Sequence, residues 1–164
     1  LFLRINRHYL GVGRELSLVG QEAPPSLAPL KHVVIIPVSG IHRGVIDALR
    51  YALSISDDVR ACYVELDSVA SENVQREWTK WAHEIPFVVL KSPYRSVLRP
   101  LLEYIHDIEQ ITHNELVTVV IPEFVTARWA HRFLHNQTAF LLRAALLFRK
   151  GVVVTSVRYY LRDT

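Results

Sequence analysis

His32-Val33-Val34-Ile35-Ile36-Pro37-Val38 is the stretch on which the fold turns. It is apolar without alternation. A strand with one wet face alternates apolar and polar residues, so a continuous run of this length suits a strand buried on both faces. Ser39-Gly40-Ile41-His42-Arg43 follows as a polar turn. Val45, Ile46, Leu49, Ala52 and Leu53 then recur at helical spacing. Strand, short turn and helix make the first half of a βαβ unit.

The same alternation continues toward the C-terminus. Strands are predicted over Val59–Leu66, Phe87–Leu90, Leu116–Ile121 and Val152–Val157. Between them, Val74, Trp78, Trp81 and Ile85 mark one helical stripe, and Val97, Leu98, Leu101, Leu102, Ile105 and Ile108 another. Ser96 is placed to cap the second of these helices, with Pro100 in its tolerant first turn. Thr126–Phe148 reads as a helix, broken near Asn136 and ended at Gly151, with Arg149 and Lys150 at its negative end. Five apolar strands separated by helices predict an α/β fold: a five-stranded parallel sheet with helices on both faces, flavodoxin-like, in the order 3-2-1-4-5.

Toward the N-terminus, Gly20, Pro24, Pro25, Ser26 and Pro29 make residues 19–30 an extended linker. Residues 1–18 are apolar and basic. Leu1, Ile5 and Tyr9 fall on one helical face, beside Arg4, Arg7, His8 and Arg14, which predicts an amphipathic helix separate from the domain at 31–164. With no methionine and Leu1 at its start, the chain is expected to be a piece of a longer one.

Composition narrows the function classes. Half of the 164 residues are hydrophobic and 21% are charged, as in an ordinary globular domain. A net charge of +3 gives no case for a nucleic-acid polymer as partner. The single cysteine, Cys62, lies inside a predicted strand, which fits a reducing compartment and a buried, inert thiol. No apolar run reaches the roughly 20 residues that span a bilayer.

In such sheets ligands bind beyond the carboxyl ends of the strands, where the strand order reverses. That rule selects three loops. In the first, Ser39 and Gly40 can offer backbone amides at a helix start, with Arg43 beside them. In the second, Ser92, Tyr94, Arg95 and Ser96 combine hydroxyls, an aromatic and a cation. Arg95 can take a phosphate in a bidentate contact and Tyr94 can stack on a base. In the third, Arg128 follows Glu123, as a phosphate ligand or as its ion-pair partner. The first loop also reads as an ordinary turn capped by Ser39, and the second as a proline-containing turn with a capping serine and a surface arginine. His131 and His135 are spaced to share a metal, but Arg132-Phe133-Leu134 between them supplies no acid, so no metal site is expected. No nucleophile stands with a base and an orienting group, and no catalytic residues are assigned.

The alternation, length and first strand resemble the universal stress protein fold. The ATP-binding members of that family carry a glycine-rich cradle after strand 4, whereas here no glycine follows that strand before Gly151. A closer resemblance covers nearly the whole chain. Arg7-His8-Tyr9, Val34-Ile35-Ile36-Pro37-Val38-Ser39-Gly40, Ser92-Pro93-Tyr94-Arg95-Ser96, His135-Asn136-Gln137-Thr138-Ala139 and Leu146-Leu147-Phe148-Arg149 together are similar to the C-terminal cytosolic domain of bacterial APC-superfamily (amino acid, polyamine and organocation) transporters. The resemblance implies a regulatory domain at the cytoplasmic face of the cell membrane, joined to the transmembrane part of its own chain. Potassium importers of this kind have such a domain, which dimerises and binds cyclic di-AMP as an inhibitor. Cyclic di-AMP is therefore the expected ligand and a homodimer the expected assembly, with no other cofactor. An AMP- or ATP-binding module and a purely structural dimerisation domain are the alternatives.

Overall fold

A computed structural model describes Val12, residues 16–20, 30–93, 95–112, 115–125 and 137–160. The elements are β1 (His32–Val38), α1 (Arg43–Ile55), β2 (Asp58–Glu65), α2 (Ser68–Trp81), β3 (Phe87–Lys91), α3 (Leu98–Ile111), β4 (Leu116–Val125), α4 (Gln137–Leu146) and β5 (Val152–Tyr160). The sheet is parallel throughout, in the order β3-β2-β1-β4-β5, as the sequence predicts. The expected amphipathic helix at 1–18 and linker at 19–30 fall largely outside the described residues, as does the first part of the helix predicted from Thr126.

The apolar run of β1 divides by the strand period of two. Val34, Ile36 and Val38 face one layer, with Val45, Ala48, Leu49 and Ala52 of α1 and Trp78 of α2. Val33 and Ile35 face the other, with Leu101, Ile105 and Ile108 of α3 and Leu142 and Leu146 of α4. Ile35 and Ile36 are wholly buried on opposite faces. Each contributes about 1.5–3 kcal/mol relative to exposure, and neither face can turn polar without losing a layer. Polar side chains set two helix starts. His42 Nδ1 accepts from the Val45 amide at 3.2 Å, and Asp67 Oδ1 accepts from the Ala70 amide at 2.9 Å.

The structure moves three sequence-based boundaries. Strand β4 runs on to Val125 and β5 to Tyr160, because Pro122, Glu123, Phe124 and Val125 pair in register with Val157, Arg158, Tyr159 and Tyr160. Pro122 is tolerated because pairing of β4 with β1 stops at Val119, so its missing amide has no ladder partner on that side. Helix α4 ends at Leu146, and Gly151 (φ +88°) opens β5 after a turn rather than capping the helix itself. Trp81, placed in the apolar stripe of its helix by spacing, is 66% exposed, whereas Trp78 is 3% exposed.

Candidate functional site

The same break in pairing opens a crevice. Register between β1 and β4 runs from His32–Leu116 to Ile35–Val119 and then ends, although both strands continue. Beyond it lies a cleft of about 380 Å³ at the carboxyl ends of the strands, where the strand order reverses. Pro37, Val38 and Ser39 line it from β1, Ile121, Pro122 and Phe124 from β4, and Ala139 and Leu142 from α4. No lysine, arginine or carboxylate is among its described lining residues. Such a slot takes a flat, largely neutral group, with charged parts of a ligand left at its rim.

The predicted site residues fall at several places around this cleft. Ser39 lines it. Gly40 is partly buried, and a side chain there would meet nothing within 4 Å, so this glycine does not mark a close backbone approach. Arg43 is exposed at the first position of α1. The Ser92 hydroxyl donates to the Ser96 carbonyl at 2.7 Å, and the Arg95 amide to the Ser92 carbonyl at 3.2 Å, so these residues close a turn. The Ser96 hydroxyl accepts from the Arg99 amide at 3.4 Å, but the cap position of α3 falls on Val97, which makes no side-chain cap bond, so the expected cap is displaced by one residue. Ser96 also lines a second, shallower groove on the outer side of α3, with Arg99, His106 and Arg149. Among the described residues, neither Arg43 nor Arg95 is paired with a carboxylate. Tyr94 and Arg128, and with Arg128 the histidine pair His131 and His135, lie outside the described residues.

Arg95 is the one non-glycine with positive φ (52°) among the described residues. That conformation costs a side-chain-bearing residue about 1–2 kcal/mol. Arg95→Gly is therefore expected to stabilise the fold by about 0.5–1 kcal/mol, the relief of strain less the entropy glycine adds to the unfolded chain. Arg95→Ala keeps the strain and is expected to melt with the parent. Thermal denaturation of the three proteins checks this, and a glycine variant that melts below the parent refutes it.

Two residues that spacing alone did not mark shape the cleft. His42 lines it, with its ring 4.4 Å from that of Phe124. Burial holds its pKa below the ordinary histidine value. Gly44 is the other. A side chain there would meet Tyr159 Cβ at 3.2 Å and Phe124 Cε1 at 3.3 Å, so glycine lets the first turn of α1 lie directly on the ends of β4 and β5. Only a Gly following the His-Arg turn hinted at such an approach in the sequence. Cys62 also borders the cleft, but it is 1% exposed and burial pushes its thiol up to about 12, which makes it a poor nucleophile.

Behind α4's wall of the cleft sits a charged cluster. Glu123, for which the sequence offers Arg128 as one candidate partner, is bound among the described residues by Arg143 of α4, which also donates to the Ser156 hydroxyl. Arg158 of β5 approaches the other carboxylate oxygen at 3.7 Å. This fastens α4 over the ends of β4 and β5, and so fixes Ala139 and Leu142 against the cleft. Among the described residues no helix is long and apolar enough to cross a membrane, and no cluster of three metal-ligating side chains occurs.

Comparison with known proteins places this geometry in a lineage. A family model described as the KimA potassium transporter C-terminal domain matches residues 30–159. The potassium transporter KimA of Bacillus subtilis (strain 168) is 34% identical over 164 residues, which cover 99% of this chain and 26% of that protein. The chain thus spans about a quarter of the length of the curated relative it matches.

Proposed function

The chain belongs to the KimA potassium transporter C-terminal domain family, and on that premise we propose that it is the cytosolic regulatory domain of a potassium transporter, a homodimer that binds cyclic di-AMP. It senses the nucleotide and does not turn it over. The observation that carries this reading is the cleft at the strand carboxyl ends, where β1 and β4 part company.

The cleft's size supports half-site binding. At about 380 Å³ it lies near the small end of the roughly 300–1,000 Å³ typical of ligand sites. It suits one nucleoside half of a two-fold ligand, and two chains related by a two-fold axis supply both halves. Arg43, at the start of α1, and Arg95, in the loop after β3, have no carboxylate partner among the described residues and stand at the end of the sheet where phosphates would emerge. Strand β5 supports the dimer. Among the described residues it pairs only with β4, and it carries Val153, 41% exposed, and Tyr160, 65% exposed. A long β-branched edge of this kind favours pairing with a second chain.

Calorimetric titration of the 164-residue chain tests the proposal. One cyclic di-AMP per two chains is expected, with ligand recovered intact by chromatography. Arg95→Ala should bind about tenfold more weakly, the effect of one charge-assisted hydrogen bond. One AMP or ATP per chain would replace this ligand with a mononucleotide. No heat with any of the three would leave a structural dimerisation domain, and a sedimentation coefficient of a monomer at high concentration would remove the dimer.

A further inference from the structure

The His42 ring has its two nitrogens in different situations. Nδ1 accepts from the Val45 amide at 3.2 Å. A backbone amide only donates, so Nδ1 must carry the lone pair, and the proton of the neutral ring is fixed on Nε2. Nε2 has no hydrogen-bond partner among the described residues, and it is not among buried atoms left unsatisfied, so it keeps solvent exposure on a residue that lines the cleft. The ring cannot swing freely, since Phe124 packs against it at 4.4 Å, and Phe124 is in turn held edge-on by Tyr159 at 6.4 Å.

We infer that His42 presents a fixed Nε2–H donor to the cleft and reads an acceptor ring nitrogen of a purine base lodged there. This rests on the nucleotide-binding reading above and adds to it the residue that orients the base. The lining decides between base and phosphate. Val38, Val45, Leu66, Leu101, Ile121 and Leu142 make the walls apolar, and no lysine or arginine is among the described lining residues. Against those residues a phosphate would find no counter-charge, whereas a purine offers flat apolar faces and neutral ring acceptors. The donor is also the right species, because a neutral imidazole with Nδ1 committed can donate at Nε2 and cannot accept there. Ser39 and Thr138, which also line the cleft, carry rotatable hydroxyls that can donate or accept. Of these three side chains, His42 is the one with a fixed polarity.

Two roles of His42 must be separated, since it caps α1 as well. Asparagine is a strong cap but too short to carry a donor to where Nε2 stands, and alanine supplies neither function. With cyclic di-AMP as the probe, His42→Asn is expected to melt with the parent and to bind about tenfold more weakly, one hydrogen bond being lost. His42→Ala is expected to melt lower and bind no better than the asparagine variant. In the parent, the Nε2 signal of His42 in nitrogen NMR should move on addition of ligand, a readout that needs no variant. If the parent binds and the asparagine variant binds equally, or the Nε2 signal stays in place, the role given to His42 falls and the ligand stands. If the parent does not bind cyclic di-AMP, AMP or ATP, the ligand reading falls and His42's role with it.

Discussion

Trp78→Ala is expected to lower the unfolding free energy by about 3–5 kcal/mol, the range for truncating a buried large aromatic. Trp78 is 3% exposed, and its ring lies 4.8 Å from that of Phe87 on the edge strand β3. Its indole N–H also donates to the Ile85 carbonyl at 3.0 Å, tying the end of α2 to the turn that enters β3. The substitution thus opens a cavity and strands an acceptor. Since domains of this size are stable by about 5–15 kcal/mol, the loss is a large share of the total. Trp78→Phe keeps most of the volume and loses the hydrogen bond, so it should cost about 1–3 kcal/mol. Trp81→Ala, at an exposed position three residues on, should change stability by about 0.5 kcal/mol or less. Urea denaturation of the three variants tests the ranking. Equal effects of Trp78→Ala and Trp81→Ala would show that α2 is docked by another face.

The second large effect belongs to Arg143. Its guanidinium binds Glu123, whose side chain is only 8% exposed, and the Ser156 hydroxyl. Breaking a buried pair by removing one partner costs about 3–5 kcal/mol. Arg143 is itself 39% exposed and Arg158 remains 3.7 Å from the carboxylate, so Arg143→Leu is expected to cost less, about 2–3 kcal/mol. The penalty comes from the orphaned carboxylate. Adding Glu123→Gln to Arg143→Leu should therefore recover part of the loss, and a double variant less stable than the single one would refute that account. Because α4 carries one wall of the cleft, Arg143→Leu should also weaken nucleotide binding without touching the ligand. Denaturation and titration of the same variants show both effects together.

Much of this molecule can be read from local patterns. Buried parallel strands such as β1 need apolar residues on both faces, and no other element of that length does, so the strands announce themselves and their number and spacing give the layers. The caps were less legible. Ser39 is the conventional capping type in the first loop, yet His42 takes that role, because the loop runs three residues further before α1 begins. Pro122 concealed the end of β4 for a similar reason. A proline reads as a strand stop, and only the parting of β1 and β4 makes it harmless. Glu123 offered Arg128, which lies outside the described residues, as a partner by proximity in sequence; its partners among the described residues come from α4 and β5, which the fold brings back from 20 and 35 positions away.

By itself, then, the sequence determined the α/β class, the strand order and the burial of Cys62, because each follows from periodicity or from topology that periodicity implies. The tertiary structure alone decided which tryptophan is core, that Gly44 admits the close packing of α1 on Phe124 and Tyr159, and that His42 lines the cleft with Nδ1 turned to the Val45 amide. Those depend on distances between residues far apart in the chain, set by how the strands splay and how the helices seat on them, and no local pattern encodes such distances.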